Sequence, residues 1–123
     1  MQIFNSSVVH KALKKSRNQK IPAIYQDSLI SQLIHDIFGG EILKTRWKRG
    51  WHFYNRVDGL RVDFTKSETS KSSKAKKFED IPATPEETSA CFENEQYSFF
   101  LMNFVRSFEE IVGLNKYKVE FAS

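Results

Sequence analysis

The segment GWHFYNRVDGLRVDFTK, residues 50–66, carries the local pattern that decides the fold class. Two runs rich in aromatic and β-branched residues flank Asp58-Gly59. That dipeptide suits a type I′ turn, because both central residues of such a turn take positive φ. Strands are therefore expected at about 50–57 and 60–66, joined as a hairpin. With Asp58 and Gly59 as the loop, Tyr54 faces Asp63 and His52 faces Thr65. His52 and Asp63 then become diagonal neighbours on one polar face, within hydrogen-bond reach. Trp51, Phe53, Leu60, Val62 and Phe64 alternate with them and read as the core-facing side.

Working outward, a third strand is expected at Glu41–Trp47. Before it, Leu29, Ile30, Leu33, Ile34 and Ile37 recur at helical spacing, and Gly39-Gly40 supplies a stop. That helix is read from about Asp27 to Phe38, with Asp27 either as its N-cap or as a functional carboxylate. An earlier helix is read at about Ser7–Arg17, capped by Ser7 and closed off before Pro22. Residues 67–77, SETSKSSKAKK, read as a mobile basic loop. Pro82 and Pro85 mark a further connection. A last helix, about Glu93–Val112, is apolar on most sides. The expectation is a single α+β domain over residues 1–123, a small antiparallel sheet packed with helices. The length leaves room for one core.

A 40 % hydrophobic and 14 % aromatic composition argues against wholesale disorder. Cys91 is the sole cysteine, so no intramolecular disulfide is possible and a reducing compartment fits. The opening MQIFN has no charged segment followed by an apolar one, and the apolar stretch Phe99–Val105 is too short for a membrane span. A cytoplasmic protein without membrane partners is expected. Charge is distributed unevenly: residues 1–77 carry 16 Lys and Arg against 6 Asp and Glu, and residues 78–123 carry 3 against 9. Such a layout either attracts an anionic partner or lets the two halves neutralise each other.

Asp27, His52 and Asp63 form the candidate site. A histidine oriented by a carboxylate is the core of hydrolytic acid–base chemistry. Two carboxylates and an imidazole also suit a divalent cation, although no His-x-x-x-His spacing supports one. No metal or cofactor is assigned. Cys91 has no histidine at a matching spacing and reads as a plain small side chain. Lys44, Arg46, Trp47, Lys48, Arg49 and Trp51, together with Lys71, Lys74, Lys76 and Lys77, make the best candidate contact surface for phosphates or an acidic face. The alternative is a strand with solvated charges and buried rings. No nucleic-acid motif accompanies the basic residues.

Gln26-Asp27, Ile37-Phe38-Gly39-Gly40-Glu41-Ile42, His52-Phe53-Tyr54-Asn55-Arg56, Asp58-Gly59 and Val62-Asp63-Phe64-Thr65 occur in an order that resembles the YunG-like family of small bacterial proteins. Ala12-Leu13-Lys14-Lys15-Ser16 and Gln96-Tyr97 extend the likeness to about residues 8–105, strongest over 26–65. The resemblance implies a papain-like core, with a thiolate at a helix N-terminus, a strand histidine and an orienting carboxylate. In that plan Gln26 is the oxyanion-type residue and Asp27 stands where the family has cysteine. A carboxylate does not replace a thiolate in acyl transfer, because its adduct is a labile anhydride. Ser28 becomes a nucleophile only if the correspondence slips by one residue. The function expected is a catalytically inactive papain-like domain that binds or inhibits a protein or protein–nucleic acid complex with an anionic face. A phage or mobile-element inhibitor of a nucleic-acid-handling complex, of the anti-CRISPR kind, is one such case. The alternative is a hydrolase using Asp27, His52 and Asp63 through water or a divalent metal.

Overall fold

A computed structural model describes residues 4–16, 23–48, 50–64 and 78–122, and of 23–25 and 114–122 the backbone only. Arg49 and the basic stretch 67–77 lie outside the described residues. The first helix, α1 (Ser6–Ser16), is capped by Asn5 and not by Ser7. The Asn5 carboxamide oxygen accepts from the Ser7 N–H at 3.1 Å and the Val8 N–H at 3.2 Å, the second and third amides of the helix. Val9, Ala12 and Leu13 are buried, and α1 packs along the last helix.

The second helix, α2 (Ala23–Phe38), starts four residues earlier than the apolar spacing indicates. Asp27 is therefore in the second turn and is not the N-cap. Gly39 and Gly40 end the helix with φ of +80° and +81°. The chain then enters β1 (Glu41–Trp47), β2 (Gly50–Val57) and β3 (Leu60–Val62). Asp58 and Gly59 both have positive φ, and Asn55 pairs with Val62 and Val57 with Leu60, the register expected for a two-residue loop. The third strand is shorter than expected, because Asp63 and Phe64 leave the ladder.

Where Pro82 and Pro85 suggested only a connection, the chain forms β4 (Ile81–Ala83) and α3 (Pro85–Ser89). The antiparallel sheet has the order β3-β2-β1-β4. Pro82 is tolerated because β4 is an edge strand and needs hydrogen bonds on one side only. Thr84 caps α3 through a capping box with Glu87. Thr84→Ala is expected to cost about 1 kcal/mol in urea unfolding, while Thr84→Ser, which keeps the hydroxyl, costs less than half as much.

The last helix, α4 (Asn94–Ala122), runs past the Val112 end expected from its pattern. Phe100 and Phe104 join Leu13, Leu29, Leu33, Ile34 and Val57 in the core, and Phe38 meets Phe104 and Phe108 edge-on. On the sheet, α2 covers Phe53, Asn55 and Val57, with the Asn55 side-chain amide donating to the Ser31 carbonyl at 3.0 Å. Two residues assigned to the core by alternation, Trp51 and Leu60, are exposed. One helix covers only the middle of a hairpin, so alternation overstates burial at both ends. The opposite face is not simply polar and open: His52, Tyr54 and Thr45 are buried there.

Candidate functional site

Asp27 on α2, His52 on β2 and Asp63 just past β3 come together, although none adjoins another in sequence. His52 Nε2 lies 2.7 Å from Asp63 Oδ2, and His52 Nδ1 lies 3.2 Å from Asp27 Oδ2. The second contact exists because Asp27 also serves the sheet. The β2–β3 ladder stops at Asn55 and Val62, and Asp27 Oδ2 accepts the Phe53 N–H at 3.1 Å in place of a strand carbonyl. Asp27 Oδ1 accepts the Ser28 N–H at 2.7 Å. The side chains of His52, Asp27 and Asp63 keep only 8 %, 14 % and 7 % of their accessible surface.

Each ring nitrogen of His52 thus faces a carboxylate oxygen. An imidazolium donates from both nitrogens and satisfies both contacts, whereas a neutral ring turns one lone pair toward a carboxylate. The geometry accordingly suits a charged ring clasped between two acids. Among the described residues, no group of three His, Cys, Asp or Glu is arranged to hold a metal ion. Gln26 is half-buried in α2, one residue before Asp27.

Tyr54, the ring that stacks on His52, is held in turn by a strap, residues 78–80, which the sequence reading did not single out. The Tyr54 ring stacks at 5.9 Å on His52 and meets Phe78 edge-on at 4.9 Å. The Tyr54 hydroxyl donates to Asp80 Oδ1 at 2.8 Å and accepts the Asp80 N–H at 2.7 Å. Glu79 accepts the Arg46 N–H at 3.0 Å, and its own N–H donates to Thr45 Oγ1 at 3.1 Å. Arg61 grips the Asp80 carboxylate with Nε at 2.9 Å and Nη2 at 2.5 Å, and its guanidinium lies over Phe78. The only sequence signal was an acidic pair, Glu79-Asp80, following a basic run.

Arg61 holds the Asp80 carboxyl below the usual carboxylate range. Burial, reinforced by the bond to Asp80, pushes the Tyr54 phenol up to about 12. A raised folded-state value means that this contribution to stability is complete below the ordinary tyrosine value and is lost as pH climbs through the raised one. Absorbance titration of phenolate is therefore expected to show a tyrosine ionising near pH 12 that disappears in Tyr54→Phe. A Tyr54→Phe titration curve differing only by a normal tyrosine step sinks this assignment.

The basic surface is partly neutralised within the chain. Lys44 pairs with Glu87, whose carboxyl it holds below its usual range, and its ammonium sits 4.6 Å above the Trp51 ring. Arg46 lies 5.8 Å from the same ring, and Lys48 lies 5.9 Å from Trp47. Arg56 and Arg61 both pair with Asp80. The acidic and basic halves of the chain thus meet across the sheet. Arg46, Lys48 and the 43 % exposed Trp51 remain at its outer end. Arg49, Lys71, Lys74, Lys76 and Lys77 lie outside the described residues.

These elements also mark the chain's relationships. The profile of the YunG protein family matches residues 3–109. The uncharacterized protein YunG of Bacillus subtilis (strain 168) is 32 % identical over 93 residues, covering 76 % of this chain and 78 % of that protein. No solved structure gives a significant match. With a family match spanning the sheet, the clasped histidine and most of the helical core, the chain belongs to the YunG family.

Proposed function

We propose that this chain is a catalytically inactive domain built on a papain-like plan, and that it works by binding an anionic face of a protein or protein–nucleic acid complex. The observation that carries the reading is the double engagement of His52. A general base needs a ring nitrogen available to a substrate, and here one nitrogen faces Asp63 and the other faces Asp27. Asp27, in the position that the resemblance gives to a cysteine, acts as an acceptor for backbone and ring and not as a nucleophile. The same engagement weighs against the hydrolytic alternative, since a metal at His52 would have to displace a carboxylate from the ring. Binding is then assigned to the outer end of the sheet, where Arg46, Lys48 and Trp51 stand beside Arg49 in sequence. An inhibitor of a nucleic-acid-handling complex is one form this function takes.

The test compares two folded variants for salt-dependent retention on heparin and for capture of partners from the native host. Neutralising Arg46, Lys48 and Arg49 together is expected to lower the polyanion affinity at least about tenfold and to flatten its salt dependence. His52→Gln is expected to leave both unchanged. If His52→Gln abolishes function while the neutralised protein retains it, the hydrolytic reading replaces this one.

A further inference from the structure

We propose that the outer end of the β1–β2 hairpin takes a single-stranded nucleic acid, stacking a base on Trp51 and holding the flanking phosphates on Arg46 and Lys48. The inference rests on the binding reading above and names its anionic partner. It begins with the two turns of the sheet. Asp58-Gly59 joins β2 to β3 with φ of +52° and +79°, and those are residues that such a turn prefers. Only two positions also separate Trp47 from its strand partner Gly50, and the sequence puts Lys48 and Arg49 there. Lys48 has φ of +55°, a value that favours asparagine or glycine. Among the described residues its ammonium pairs with no carboxylate. It lies 5.9 Å from the Trp47 ring, a weak return at an exposed site. A lysine held in a disfavoured conformation for so little points to a use outside the fold.

Beside this turn stands an indole that the core does not use. Trp51 lies beyond the stretch of β2 that α2 covers and keeps 43 % of its surface exposed. Two cations of β1 flank its ring, Lys44 at 4.6 Å and Arg46, its cross-strand partner, at 5.8 Å. Glu87 neutralises Lys44. Glu79 instead spends its carboxylate on the Arg46 backbone N–H and the Thr45 hydroxyl. The Arg46 guanidinium therefore has no acid among the described residues. An exposed ring and uncommitted cations thus lie side by side, separated by a distance comparable with that from a base to its own phosphate. A single strand meets both needs, because its bases are free to stack and every nucleotide carries a phosphate. A duplex keeps its base faces inside its own stack, and an acidic protein face answers the cations but not the ring.

Fluorescence anisotropy of the full chain compares an oligothymidylate of about 12 nucleotides with an abasic strand of the same length and charge. The base-bearing strand is expected to bind at least about fivefold tighter. Trp51→Ala is expected to abolish that preference, and Trp51→Phe, which keeps a ring, to preserve it. Lys48→Asn/Arg49→Gly is expected to weaken both strands at least about fivefold and, by introducing preferred turn residues, to raise the urea unfolding midpoint. Circular dichroism verifies that each variant is folded. Equal affinity for the two strands overturns the proposal, and heparin retention that still depends on Arg46, Lys48 and Arg49 then leaves the binding reading standing. If neither strand nor heparin binds, both fall together. Capture of a host protein that Trp51→Ala loses, with no binding of either strand, overturns the proposal in favour of a protein partner. A turn variant that binds undiminished, or that is no more stable than the native chain, overturns it as well.

Discussion

His52→Ala is expected to lower the folding stability by about 3–5 kcal/mol, one of the two largest losses anticipated for a single substitution here. The substitution removes the group between Asp27 and Asp63, leaving two nearly buried carboxylates without the donor each now faces. Asp27 keeps the Phe53 and Ser28 amides, and Asp63 gives up the 2.7 Å contact with His52 Nε2. Breaking a buried charge pair from one side costs more than never having had it, because the partner still bears its desolvation. Adding Asp63→Asn to His52→Ala is therefore expected to recover part of the loss, which two independent defects would not do. Urea unfolding of the single and double variants measures both. A His52→Ala penalty under about 1 kcal/mol, or strict additivity, would mean that the three side chains do not act as one clasp.

Gly40→Ala is expected to cost about 3 kcal/mol or more, against about 1–2 kcal/mol for Gly39→Ala. Both glycines have φ near +80°, so both substitutions impose left-handed strain on an L-residue. They differ in surroundings. A Cβ at Gly39 would meet nothing within 4 Å, whereas a Cβ at Gly40 would sit 2.3 Å from the Arg56 carbonyl oxygen on β2. That oxygen belongs to the sheet backbone and cannot rotate aside as a side chain does. The substitution must push β1 and β2 apart where Glu41 pairs with Arg56. Equal penalties at the two positions in urea unfolding would show that conformation alone, and not the close approach, is the reason for Gly40.

The hairpin illustrates how much of this fold is written locally. Asp58-Gly59 specifies its turn through the φ angles those residues tolerate, and the turn then fixes which residues of β2 and β3 face one another. That register brings the chain after β3 toward His52, and Asp63, one residue beyond the end of the strand, makes the contact. The apolar spacing of Leu29, Leu33 and Ile34, followed by Gly39-Gly40, likewise specifies a helix and its end from interactions within a few residues.

Helix starts were less legible, because several residues compete for each cap. Asn5 prevails over Ser7, and the start of α2 at Ala23 overrides the claim of Asp27 to be a cap. The short strand at Pro82 was hidden for a different reason. Proline argues against a strand in general, and only the position of β4 at the sheet edge, beside β1, removes the objection.

The sequence by itself determined the α+β class and the hairpin register, since each follows from turn chemistry or periodicity over short spans, and that register carries Asp63 to the neighbourhood of His52. Only the tertiary structure decided that Asp27 reaches the other nitrogen of the same ring, from 25 positions away in the chain. It alone decided that the strap at 78–80 closes the face above Tyr54. It alone turned Lys44 from a free cation into the partner of Glu87. These depend on which distant segments lie side by side, and burial and ion pairing are properties of that arrangement, whereas turn type and apolar period belong to the chain itself.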